Sequence, residues 1–114
     1  MTTTQIDRAT FEELKQVSGA DFINELIDTF LEEAPKLIAQ LKSAMKAGDA
    51  ESFRRAAHSL KSNGATFGAG HLAEQARSLE MLGKESRLAE AGDGVKAVEA
   101  AWKLVADELK GLQA

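Results

Sequence analysis

The chain has no cysteine and no tyrosine, a single proline, and only six aromatic residues, five Phe and one Trp. The missing thiols exclude a disulfide framework, a thiolate metal site and a cysteine nucleophile. Sustained apolar–polar alternation is also lacking, so strand signals are absent. No apolar run approaches the roughly 20 residues that span a bilayer, and the segment MTTTQIDRAT lacks the apolar core of a signal peptide. A cytoplasmic location with no membrane partner is therefore expected. The net charge of -4 gives no basic surplus to meet a phosphate backbone, so nucleic acid is not an expected partner. There is no Gly-rich phosphate loop after a strand, no HExxH and no plausible catalytic triad. A chain of this kind that does chemistry supplies one reactive group and borrows the rest.

What is present is helix. At 114 residues the chain is long enough for one domain, expected to span 1–114, that buries a core without staples. Thr10-Phe11-Glu12-Glu13 has the form of a capping box and predicts a short helix ending near Ser18-Gly19. From about Asp21 to Ala47, the residues Ile23, Leu26, Ile27, Phe30, Leu31, Ala34, Leu37, Ile38, Leu41 and Met45 form one stripe at helical spacing. Pro35 lies inside that stripe and predicts a bend. Gly48 reads as a helix stop and Asp49 as the N-cap of a helix from Ala50 to Thr66.

After a turn at Gly68-Ala69-Gly70, a fourth helix carries Leu72, Ala73, Ala76, Leu79 and Leu82 and is expected to stop at Gly83. Lys84 to Gly94 reads as the longest loop. A last helix from Val95 to about Leu109 points Val98, Ala101, Trp102, Val105 and Leu109 inward. Four long amphipathic helices on mostly short turns bury their stripes most economically together. The expected fold is all-α, an antiparallel up-down four-helix bundle with a short extra N-terminal helix over one end.

One stretch departs from this regular pattern. AHSLKSNGATFGA, residues 57–69, keeps helical apolar spacing but is rich in small residues and holds one of only two histidines. With Phe53 at the origin of a helical wheel, Ala56, Ala57, Leu60, Gly64 and Phe67 cluster within about 60° and define the core face. His58 falls near about 140° and Ser62 near about 180°, on the outer face. Helical side chains lean toward the N-terminus, so Lys61 and Ser62 cover the space over the His58 ring. Ser62 is too short to cover it, which leaves clearance. Gly64 faces inward, where it predicts a close helix approach. A neutral imidazole is a competent nucleophile near neutral pH, and a nearby ammonium suits a phosphoryl group. Taken alone, an exposed His with a Lys three residues on is also what a solvated helix face presents.

The whole motif resembles the signature of histidine-containing phosphotransfer (HPt) domains. His58, Leu60, Lys61, Ser62, Gly64, Phe67, Gly68 and Ala69 match it in register. The likeness extends to Phe30-Leu31-Glu32-Glu33-Ala34-Pro35 and to Leu72-Ala73 through Leu79-Glu80. The resemblance implies a carrier in a multistep phosphorelay, with His58 as phosphoryl carrier through an outward Nε2, Lys61 stabilising the phosphoryl oxygens and Ser62 giving clearance. Ser62 stands where the family often has Gly. Receiver domains of response regulators and of hybrid histidine kinases are the implied partners. Neither an ATP-binding nor a dimerisation segment fits in this chain, so a monomeric carrier without autokinase activity and without cofactor or metal is expected. The alternative is a non-phosphorylated helical-bundle adaptor that binds a signalling partner. A metal or cofactor bundle lacks paired inward Glu and His ligands.

Outside the motif, His71 reads as an ordinary surface histidine and Trp102 as core. Asn63 lies beside the core and reads as structural. Arg55 reads as part of a solvated face. Arg54 is left between that reading and assistance to a phosphoryl group. Phe11 is expected to cover the end of the bundle.

Overall fold

The structure, a computed structural model, describes residues 5–113. Residues 1–4 and 114 of the expected single domain lie outside the described residues. Among the described residues five helices follow in order: α1 Arg8–Ser18, α2 Ala20–Ala47, α3 Ala50–Thr66, α4 Gly70–Lys84 and α5 Gly92–Leu112, with a 3-10 turn at Leu88–Glu90. Helix α2 packs on α3, α3 on α4, α4 on α5, and α5 back on α2. That closed ring of sequential neighbours is the expected up-down bundle. Helix α1 lies across α2 and α3, with Phe11 buried beneath it.

The core is the set that the helical stripes predict. Ile23, Ile27, Phe30, Ala34, Ile38 and Leu41 of α2 are buried, as are Val98, Ala101, Trp102, Val105 and Leu109 of α5. Leu26, Leu31, Leu37 and Met45 are partly buried at the margin. Phe30 is the central knot: its ring stacks on Phe67 at 4.7 Å and meets Trp102 edge-on at 4.9 Å. Such aromatic pairs add about 0.5–1.5 kcal/mol beyond area burial, and these two tie α2 to the end of α3 and to α5. Trp102 is core, as its stripe position implies.

Helix boundaries follow local chemistry. Gly48 takes a left-handed φ of 70° and ends α2, and the Asp49 side chain accepts from the Ser52 N–H at 3.1 Å to start α3. The expected bounds of α3 hold at both ends. Helix α2 continues through Pro35, which is exposed.

Three expectations at other boundaries need correction. Asp7 rather than Thr10 precedes the first helix; Thr10 sits inside the first turn and donates from Oγ1 to Asp7 Oδ2 at 2.7 Å. Gly83 does not stop α4, which continues to Lys84; instead Gly83 is buried. The last helix begins at Gly92, not Val95, and runs to Leu112. Gly94 is tolerated there because a Cβ on it would come to 2.7 Å from a terminal methyl of Leu79, so its bareness makes room for α4.

Candidate functional site

Helices α3 and α4 form an antiparallel hairpin that brings the site together. Its turn is closed by backbone bonds from Ala69 N–H to Gly64 O at 2.8 Å and from Gly68 N–H to Ala65 O at 3.1 Å. Gly68 has a φ of 81°, and a Cβ there would come to 2.8 Å from Asp7 O, so this position requires glycine. The same turn is held from outside by Asp7 N–H donating to Gly68 O at 2.8 Å.

Beyond the turn, the register sets Gly64 beside Ala73 and Gly83 beside Arg54. The two glycines bracket the site along the helix pair. At Gly83 the approach is tight, with the Arg54 backbone 3.0 Å from where a Cβ would sit. At Gly64 a Cβ would make only ordinary contacts of 3.5 Å with Ala69 O and Ala73 N. Gly64 faces inward and is buried, with the α4 main chain in van der Waals contact with its Cβ position as expected, and the approach is tighter still at Gly83.

Between these two contacts, Glu80 of α4 faces His58 and Lys61 of α3. Its Oε2 lies 2.7 Å from His58 Nδ1, and its Oε1 accepts from Lys61 Nζ at 2.7 Å. The Glu80 side chain is 16 % exposed, that of Lys61 31 %, and that of His58 54 %. Thus the carboxylate and the ammonium sit in the helix groove while the imidazole stands half out of it. The Lys61 hydrogen bond and that of His58 hold the Glu80 carboxyl below its ordinary value of 4.5, against burial, which pushes it up. An ionised carboxylate at Nδ1 can only accept, so the neutral imidazole donates Nδ1–H to it. The lone pair is then on Nε2, and Nε2 has no hydrogen-bond partner among the described residues.

The predicted site residues fall as follows. His58 is exposed on the outer face of α3, and Ser62, one turn on, is exposed as well. Lys61 does not bond to His58 directly; the two meet through Glu80. Asn63 is half-buried. Arg54 is engaged by Glu51 through Nε at 3.1 Å, and Arg55 approaches the same carboxylate at 3.5 Å. Arg54 also feels the charge of Glu80 across the hairpin. His71 is exposed at the start of α4, next to Arg8 and Gly68 and away from the His58 cluster. Glu80 is a site residue that helical periodicity does not single out. Its signal was position alone: it follows the buried Leu79 on α4, at the edge of the stripe that faces α3.

Comparisons with known proteins bear on the family and the fold. The family model described as Hpt domain matches residues 25–114. The phosphorelay protein LuxU of Vibrio harveyi is 32% identical over 92 residues, which cover 81% of this chain and 81% of that protein. The crystal structure of histidine-containing phosphotransfer protein B (HptB) from Pseudomonas aeruginosa PAO1 superposes with a TM-score of 0.92 at 27% identity, over 98% of this chain and 96% of that one. Bundle and likenesses define a class, the histidine phosphocarriers of multistep phosphorelays. The chain belongs to the Hpt domain family. Membership makes it a phosphotransfer carrier and implies receiver domains of response regulators as partners in general. Among the described residues, no helix is long and apolar enough to cross a membrane.

Proposed function

We propose that His58 is the residue that carries the phosphoryl group, taking it from a receiver-domain aspartyl phosphate and passing it to another receiver domain. The observation that supports this reading most is the Glu80 carboxylate at Nδ1 of a half-exposed ring, which leaves Nε2 as an outward nucleophile. In the forward step the Nε2 lone pair attacks phosphorus, the acyl-phosphate P–O bond breaks, and the aspartate carboxylate leaves with the electron pair. Lys61, within reach of the same groove, turns from Glu80 to the incoming phosphoryl oxygens. Ser62 leaves the approach line over the ring open. The chain acts as a single-domain, monomeric carrier in the cytoplasm, without an ATP site or autokinase activity. Its partners are the receivers of response regulators and of hybrid histidine kinases.

Incubation with a phosphorylated receiver tests the assignment. Wild type should take up acid-labile, alkali-stable label and His58→Gln should take up none. Label retained by His58→Gln would sink the site, and no label on wild type from any receiver would favour an adaptor role.

A further inference from the structure

Once Nε2 carries a phosphoryl group, the fate of the proton on Nδ1 decides whether that group can leave. We infer that Glu80 is a positioning residue which keeps this proton on the phosphorylated ring and so keeps the P–N bond transferable. The inference rests on His58 being the carrier.

Attack by neutral His58 moves no proton. The ring that has formed the Nε2–P bond still bears Nδ1–H and is a cation. In the outward step an acceptor oxygen attacks phosphorus, the P–Nε2 bond breaks, and the electron pair returns to Nε2. If Nδ1–H is in place, neutral imidazole leaves. If that proton has gone to solvent, the leaving group is an imidazolide anion, far more basic and far slower to depart. A phosphocarrier therefore needs its ring protonated at Nδ1 after it is loaded.

The geometry supplies the means. The Glu80 oxygen at 2.7 Å faces Nδ1 directly, and a charge of opposite sign at that range favours the cationic ring. In the unloaded site Lys61 and His58 hold the carboxyl below its ordinary value, and once Lys61 turns to the phosphoryl oxygens the cationic ring still favours the ionised form, so the carboxyl does not take the proton away. The other charges bearing on the pair are those of α3 and α4. Lys61 bonds to the far oxygen of Glu80, and Arg54 acts on Glu80 from one turn back while paired with Glu51. Arg77 and Lys84 stand one turn to either side of Glu80 along α4, both exposed, and Arg77 approaches Glu74 at 3.8 Å. None of these cations can replace a carboxylate at Nδ1. Glu80 is the one acceptor placed there among the described residues.

The experiment needs no cognate receiver. In a His71→Gln background His58 is the only histidine, because the chain has two. That protein and its Glu80→Gln variant are loaded with phosphoramidate, and loss of phosphate to water is followed between about pH 6 and about pH 9, the range in which imidazoles titrate. Water takes the acceptor's part and Nε2 leaves as above. Glutamine keeps the side-chain length and a hydrogen-bonding oxygen but not the charge. The alkaline fall in rate should begin about one pH unit lower in Glu80→Gln. Rates just above neutrality should drop up to about tenfold, and the proton-coupled nitrogen signal of Nδ1 in the loaded ring should vanish at lower pH. A role confined to holding the ring in place would scale the rates without moving the midpoint. Equal midpoints in the two proteins, or no Nδ1–H signal in the loaded wild-type site, would overturn the inference and leave His58 as carrier. Loading that persists in the absence of His58 would overturn both. Circular dichroism confirms the fold of each variant, and Glu80→Asp, which keeps the charge, should hold the midpoint near that of wild type.

Discussion

Gly83 of α4 lies against the backbone of Arg54 on α3 so closely that an added Cβ would stand 3.0 Å from it. This contact sets the spacing at which Glu80, one turn earlier, reaches both His58 and Lys61. Alanine at Gly83 gains up to about 1 kcal/mol of helix propensity. It also overpacks a contact whose other side is main chain, at a cost of about 1–3 kcal/mol. Gly83→Ala should therefore lower the melting temperature and slow phosphotransfer together. At Gly64 the same change meets only ordinary contacts, so Gly64→Ala should melt about 0.5–1 kcal/mol higher, whereas Gly64→Leu should melt lower. Thermal unfolding of the three variants checks the order, and a Gly83→Ala protein more stable than wild type would refute the packing argument.

Ser62 is exposed and one turn past His58. Ser62→Leu should leave the fold intact, since leucine favours helix. Phosphotransfer should fall sharply, because a leucine leaning toward the N-terminus lies over the imidazole and blocks in-line approach. A variant that melts normally and transfers at the wild-type rate would show that the clearance has no function.

Lys61→Ala removes the ammonium proposed to meet the incoming phosphoryl group. Transfer through His58 should slow roughly tenfold, equivalent to about 1.4 kcal/mol of transition-state stabilisation. Single-turnover transfer from a phosphorylated receiver measures it. An unchanged rate would leave Lys61 with only its contact to Glu80.

The lowered titration of Glu80 fixes the sign of a stability effect. A carboxyl whose folded value lies below its ordinary 4.5 binds fewer protons folded than unfolded. Its contribution is present above pH 4.5 and is lost as pH falls through the lowered folded value. The gap in melting temperature between wild type and Glu80→Gln should persist down to pH 4.5 and close in acid below it. A gap that widened in acid would contradict the direction of the shift.

Much of this architecture is legible in the chain because local rules and packing agree. Helix α3 is bounded by a left-handed glycine, a capping aspartate and a small-residue turn, and its ends fall where those signals put them. The start of α5 is hidden because Gly92 and Gly94 read as a loop, and only the packing of Leu79 explains why a helix keeps a glycine there. His58 and its outward face follow from helical periodicity. Glu80 does not, because a glutamate beside a buried leucine looks the same whether it meets water or an imidazole. Only the pairing of α3 with α4 turns it inward, and that pairing is a tertiary fact.

His58, Lys61, Glu80 and the glycines that space them all lie in the single hairpin Ala50–Lys84, the imidazole and its carboxylate 22 positions apart. The proposed reactive set is therefore contiguous in the chain, and closing one short connection assembles it at little entropic cost. Helices α1, α2 and α5 contribute none of these side chains; they supply the apolar backing against which the hairpin is held. Substitutions on their outward faces leave that set of side chains untouched.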